Sequence, residues 1–308
     1  MPYFRTCQYG KHNEDNLLNA IITAATGYRD ADLRPFLISV ARTCPDAKLF
    51  LIAFRRDRAS IDRLRDRFPF IEPVYVPHKL ERGGRVYRWI ARTFIPEDYR
   101  TCHGVWKRVG RYSLHIMLER FFLALEVVRA HRSSLNRVMV TDCRDVVLQR
   151  NPFRRIGNQV MSGLEEKPIG ECPVNSGWIR DLYGEAVHAR MSACRIVCSG
   201  VTLGPTAEVE QYLGAMGAEI WKRLSTVALM GQYDQGIHNY LIYHGGIRVE
   251  LTDNRAGIIA SLHHEEAGNL RIDAEAGIVM VHGTAPDIIH QYDRHPGLAA
   301  FIRQRFQG

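Results

Sequence analysis

Apolar residues along the chain fall into short and long runs that alternate. The short runs Lys48 to Phe54 (KLFLIAF), Ile71 to Val76 and the β-branched Val138-Met139-Val140 are too brief for helices, so they read as buried strands. Tyr3 to Tyr9 reads as a first strand, with Gly10-Lys11-His12-Asn13 as the loop at its end. Helical spacing covers Leu17 to Thr26, where Asn13 or Asp15 would cap, and Leu33 to Cys44, with Pro35 near the first turn. A third, charged helix covers Ala59 to Phe68. Tyr112 to Arg132 carries the clearest stripe: Leu114, Met117, Leu118, Phe121, Leu125 and Val128 fall on one helical face. This β-α-β-α-β alternation predicts a parallel sheet with crossover helices and a ligand past the carboxyl ends of its strands. Gly10 is the only glycine in the first loop, so the dinucleotide fingerprint GxGxxG is absent.

The second half is less regular. Gln159 to Leu164 fits a strand, and Asn175-Ser176-Gly177-Trp178 fits a loop opening a helix through Val187. Arg195 to Leu203 is apolar but interrupted by Ser199-Gly200, Glu208 to Leu224 is amphipathic, and Ile237 to Tyr243 reads as a helix with Asp234 near its start. Gly277 to Ile289 reads as a hairpin, its arms Val279-Met280-Val281 and Asp287-Ile288-Ile289, with His282-Gly283 at the turn. No repeat or linker divides the chain, so one continuous domain over 1–308 is expected, with 1–153 as its nucleotide-binding half and 154–308 as its sugar and acceptor half.

Chemistry concentrates where the Val138 strand ends, in Thr141-Asp142-Cys143-Arg144-Asp145. Two carboxylates held close repel, and either Arg144 or a divalent cation on a diphosphate would offset them. On a straight strand, residues three apart face opposite ways, so both Asp reach one ion only if the chain turns just after Asp142. The bland alternative is a strand exit with solvated acids.

Composition narrows the setting. The seven cysteines are odd in number and scattered, and no apolar segment follows Met1 as in a signal peptide, which points to reduced thiols and a cytoplasmic protein. No run is long enough to span a membrane. The net charge is +8, and Lys79 to Arg111 supplies most of it, with Arg82, Arg85, Arg88 and Arg92 interleaved among Tyr87, Trp89 and Phe94. Such a segment suits an anionic membrane surface or an anionic acceptor; no nucleic-acid fold signature accompanies it. A solvated loop with inward-packed aromatics is the plainer reading.

Four blocks in order resemble nucleotide-sugar glycosyltransferases of the GT-A fold: TDCRDVVLQRNPF, CSGVTLG, DQGIHNYLIY and IIHQYDRHP. The likeness is to the branch with the retaining family 8 galactosyl- and glucosyltransferases, and to bacterial capsule-type enzymes of polysaccharide biosynthesis. It implies a Rossmann-like α/β domain whose mostly parallel sheet is flanked by helices. By this resemblance Asp142 and Asp145 hold Mn²⁺ (or Mg²⁺) against the donor diphosphate, the spacing being one residue longer than the usual Asp-x-Asp. A His near the C-terminus adds a ligand: His290 after Ile288-Ile289 matches that context, and His282 is its rival. Thr6, Cys7, Asp142, Arg144, Ser199, Gly200, Arg294 and His295 fall to the donor, with Cys198 where the family has Asn. Asp234 and Gln235 match the pair beside the anomeric carbon; the plain alternative for Asp234 is a helix cap. Asn175 and Trp178 are the acceptor candidates.

The activity so implied is transfer of a sugar from a nucleotide-sugar donor, UDP favoured over GDP, to a hydroxyl of a glycan or glycoconjugate, with retention. Peripheral contact with the inner membrane face is compatible with it. The rivals are a sugar-1-phosphate nucleotidyltransferase, for which Tyr9-Gly10-Lys11-His12 is too poor in glycine, and a non-catalytic basic module that makes no use of the Asp pair.

Overall fold

The computed structural model describes residues 17–76, 86, 89–90, 93–96, 102, 104–227 and 231–306. The expected strand at Tyr3 to Tyr9, with Thr6 and Cys7, and most of the basic segment, with Arg82, Arg85, Arg88 and Arg92, lie outside these residues.

In chain order the elements are β1 (Leu18–Ala24), α1 (Asp30–Thr43), β2 (Lys48–Phe54), α2 (Arg58–Arg67), β3 (Ile71–Val76), α3 (Gly104–Ser113), α4 (Ile116–Ala130), β4 (Leu135–Thr141), β5 (Val146–Leu148) and β6 (Val160–Pro168). There follow α5 (Pro173–Tyr183), α6 (Glu185–Met191), β7 (Arg195–Pro205), α7 (Thr206–Lys222), α8 (Asp234–Tyr243), β8 (Val249–Thr252), β9 (Ile259–Ser261), β10 (Leu270–Asp273), β11 (Ile278–Val281), β12 (Ile288–His290) and α9 (Pro296–Arg305). The main sheet runs β3-β2-β1-β4-β7-β6-β8. Its first four strands are parallel, and β7 is antiparallel to both β4 and β6. One sheet thus draws strands from both halves of the chain.

The helix expected over Leu17 to Thr26 is instead strand β1, in the middle of the parallel block. Ile21 packs with Phe36, Leu37 and Val40 of α1 on one face of the sheet. Its neighbour Ile22 packs with Phe121 and Phe122 of α4 on the other. A strand covered on both faces is apolar at successive positions, so its period of two is hidden and a short run of this kind mimics a buried helix. Burying each such Ile contributes about 2 kcal/mol.

Two further expectations change. The helix read over Tyr112 to Arg132 is broken at Leu114-His115 into α3 and α4. His115 is extended and its ring accepts from Met117 N at 3.2 Å, capping α4. The hairpin over Gly277 to Ile289 keeps its turn but not its arms. His282 and Gly283 adopt φ values of 48° and 78°, as a tight turn between Val281 and Thr284 needs. However, β11 pairs with β10, while β12 lies between β5 and β9 in a separate small sheet. Asn175 to Trp178 belongs to α5 rather than to a loop before it, and that helix stops at Gly184.

Among the described residues, no helix is long and apolar enough to cross a membrane. The cysteines described are free thiols.

Candidate active site

Strand pairing assembles the site. Thr141, the last residue of β4, is registered against Val201 of β7, and Asp142 N donates to Gly200 O at 2.8 Å. The Ser199-Gly200 interruption of β7 therefore lies directly beside the acidic run. The strand ends at Thr141 and the chain bends through residues 143–145, which is the turn that both Asp need in order to face one point. The next strand, β5, registers Val146 against His290 of β12. His290 Nε2 consequently lies 3.6 Å from Asp142 Oδ2 and 3.9 Å from Asp145 Oδ1.

These side chains open on a cleft of about 490 Å³ lined also by Tyr28, Arg120, Arg144, Trp178, Ser199, Asp234, Gln235, Gln291 and Arg294. It sits at the carboxyl end of β4, where an open α/β sheet places its ligand. Asp234 starts α8 and Gln235 follows it, so the expected pair is at the cleft. Arg144 donates to Asp293 at 3.0 Å and so does not bridge the two Asp. His295 points away, its Nε2 2.9 Å from Leu262 O, and it does not line the cleft. Asn175 is buried behind the wall rather than on it.

The charge between the carboxylates is offset by a residue with no place in the motif blocks. Arg120, from α4, pairs with Asp142 and donates to Asp234 Oδ2 at 3.0 Å. A lone Arg inside LERFFLAL, flanked by residues that are buried, is the signal that marks it. Burial alone would raise the Asp142 carboxyl, but Arg120 and then His290 outweigh it and hold it well below the usual carboxylate range. Burial raises Asp145 and Asp234. His290 is pulled down by burial, yet Cys198, Asp142 and Asp145 together raise it well above 6.5. Its Nδ1 faces Cys198 Sγ at 3.4 Å, leaving Nε2 for the carboxylates. Glu165, also absent from the motif blocks, is a buried carboxylate behind Gln235, which burial raises.

No family model matches the chain, and no curated protein does. Solved structures do. The galactosyltransferase LgtC in complex with donor and acceptor sugar analogues matches with a TM-score of 0.50 at 16% identity, over 94% of this chain and 94% of that one. An active-site glutamine-to-glutamate mutant of LgtC matches with a TM-score of 0.50 at 14% identity, again over 94% of each chain. The chain has the GT-A fold. A likeness at this level of identity concerns the backbone, and the site must be judged on its own residues.

A divalent cation, as GT-A proteins commonly use, fits those residues. One ligand atom each from Asp142, Asp145 and His290 can be chosen so that all three lie within 4.8 Å of one another. Gly200 forms the floor: a Cβ there would stand 2.6 Å from His290 Nε2 and 2.7 Å from Asp142 Oδ2. Two carboxylates and an imidazole are a donor set that a divalent cation accepts. A second grouping, Glu166, Glu265 and His282, is already neutralised. Glu166 pairs with Arg195 and Arg255, and Glu265 accepts from Asn254, Asn269 and His282.

Proposed function

We propose that the chain is a metal-dependent glycosyltransferase that moves a sugar from a nucleotide-sugar donor, a UDP-sugar first and a GDP-sugar second, to a hydroxyl of a glycan or glycoconjugate. The observation that carries this reading is the convergence of Asp142, Asp145 and His290 on one point of a cleft that also holds Asp234 and Gln235. Asp142, Asp145 and His290 would hold Mn²⁺ or Mg²⁺, whose charge, when bound, favours departure of the nucleoside diphosphate. Arg294, on the cleft wall, supplies a further cation for the same leaving group. The reacting carbon gains oxocarbenium character, and Asp234 and the amide oxygen of Gln235 are the negative ends available to it. Trp178, which lines the cleft, offers a face for a sugar acceptor.

Retention of anomeric configuration is part of the proposal and is supported by the resemblance of the four sequence blocks. The basic segment, with Trp89 and Phe94 exposed, supports peripheral contact with an anionic membrane surface, as suits a lipid-borne or cell-surface acceptor.

The test is a thermal-shift panel of UDP, GDP and their sugar conjugates, with and without Mn²⁺. Ligand binding to the native state raises apparent stability, by about 2.7 kcal/mol at a hundred times Kd. A Mn²⁺-dependent shift with one nucleotide, lost in Asp145→Ala while the metal-free melting temperature stays near wild type, supports the proposal. Equal shifts in Asp145→Ala refute the metal assignment, and no shift with any nucleotide refutes the donor reading.

A further inference from the structure

The side-chain amide of Gln235 has a fixed orientation, and two of the residues that hold it, Glu165 and Asn175, do not line the cleft. Its Nε2 donates to Asn175 Oδ1 at 3.0 Å and faces Glu165 Oε1 at 3.5 Å. Its Oε1 faces the backbone N–H of Ser199 at 3.4 Å. One of these partners has no choice of role: a backbone N–H only donates, so the atom facing Ser199 N is the amide oxygen. A reversed amide would set oxygen against two oxygens and N–H against N–H. Asn175 turns its Nδ2 to Cys172 Sγ at 3.2 Å and its Oδ1 to Gln235. Glu165 and Asn175 are 1% and 5% exposed, and neither lines the cleft, whereas Gln235 and Ser199 do.

We infer that Glu165 and Asn175 are positioning residues: they occupy both hydrogens of the Gln235 amide and so present its carbonyl oxygen, never its NH₂, on the side of the cleft. This rests on the glycosyltransferase reading above and deepens it. An oxygen aimed at a carbon that gains positive charge stabilises the transition state more than the bound donor. An NH₂ in its place would oppose the reaction. Asn175 acts on the chemistry through Gln235 rather than by touching an acceptor.

Glu165→Leu and Asn175→Leu each remove one acceptor from the amide, and Glu165→Gln keeps an oxygen at nearly the same place. Transfer from UDP-galactose and UDP-glucose to water is measured with UDP–Mn²⁺ calorimetry on the same proteins. Misorienting a group at the reacting centre costs up to about 100-fold, so kcat is expected to fall roughly 10- to 100-fold in both Leu variants. Donor KM and UDP–Mn²⁺ affinity should stay within about threefold, because a group felt only in the transition state moves kcat alone. Glu165→Gln should recover most of the rate. The inference is overturned if KM rises in step with the loss of kcat, if Glu165→Gln is no better than Glu165→Leu, or if UDP–Mn²⁺ affinity drops with the rate. Should Glu165→Leu fail to fold, Asn175→Leu and Glu165→Gln decide alone. Wild-type protein that binds no UDP in the presence of Mn²⁺ fails at the donor reading instead, a result visible before any variant is compared.

Discussion

Arg120 Nη2 donates to Asp234 Oδ2 at 3.0 Å, joining a helix of the first half of the chain to a motif block of the second. Its other terminal nitrogen pairs with Asp142. One buried guanidinium thus neutralises a carboxylate of the metal cluster and a carboxylate of the sugar side at once.

Arg120→Met should therefore destabilise the protein by about 3 kcal/mol, the lower end for breaking a buried ion pair, because Asp142 is open to the cleft. Part of that loss should return with Mn²⁺ and UDP, since a cation beside Asp142 restores the missing charge. Chemical denaturation with and without both ligands measures the two values. A loss unaffected by Mn²⁺ would mean that Arg120 serves Asp234 alone.

Gly200→Ala places a methyl group against His290 and Asp142. The ring of His290 is 2% exposed and has nowhere to retreat, so Mn²⁺ affinity should fall at least tenfold, on the order of a disturbed ligand shell. The fold should persist at a cost of about 1–3 kcal/mol, as for a methyl group forced into a packed interior. Calorimetric titration of Mn²⁺ in the presence of UDP checks it; unchanged affinity would remove Gly200 from the floor of the site.

His290 titrates well above 6.5 in the folded protein. A raised folded-state value means that the protonated ring favours folding. Its contribution is full below about 6.5, the unfolded value, and is lost as pH rises through the folded value. Metal binding has the opposite sign, because it needs the free imidazole. As pH rises above about 6.5, metal-free stability should drift down while the Mn²⁺-induced gain grows. His290→Ala should abolish both trends. His282→Ala, which breaks a contact to Glu265 at 3.1 Å, should leave the metal response intact. The reverse result would transfer the metal role to His282.

Neutralising Arg82, Arg85, Arg88 and Arg92 together should weaken binding to phosphatidylglycerol vesicles by about 1 kcal/mol per residue. UDP–Mn²⁺ affinity should not change. Vesicle co-sedimentation at low and high salt measures it. Equal sedimentation of wild type and variant would return this segment to the solvated reading.

The parts of the fold legible in the sequence are those where one local signal suffices. Lys48 to Phe54 and Ile71 to Val76 are strands within the bounds that their composition predicts. The acidic run at the end of β4, the glycine of β7, Asp234 and His290 are legible as blocks, and pairing brings them together. Non-local features are not. Leu18–Ala24 looks helical until its neighbours β2 and β4 are known, because only they make both its faces interior. Arg120 carries no motif; its role comes from a helix packing that sets it between two Asp. Ile288 to His290 is legible as an apolar strand, but its partners are β5 and β9, neither adjacent to it in sequence.

That last pairing makes the metal site a gauge of assembly. Asp142 follows β4 of the main sheet, whereas Asp145 and His290 adjoin β5 and β12, whose register with each other belongs to the small sheet. Ion capture therefore needs both sheets in place at once. Parting β12 from β5 would leave every ladder of the main sheet intact and still scatter the three ligands. Affinity for Mn²⁺ thus reports the docking of the small sheet on the large one.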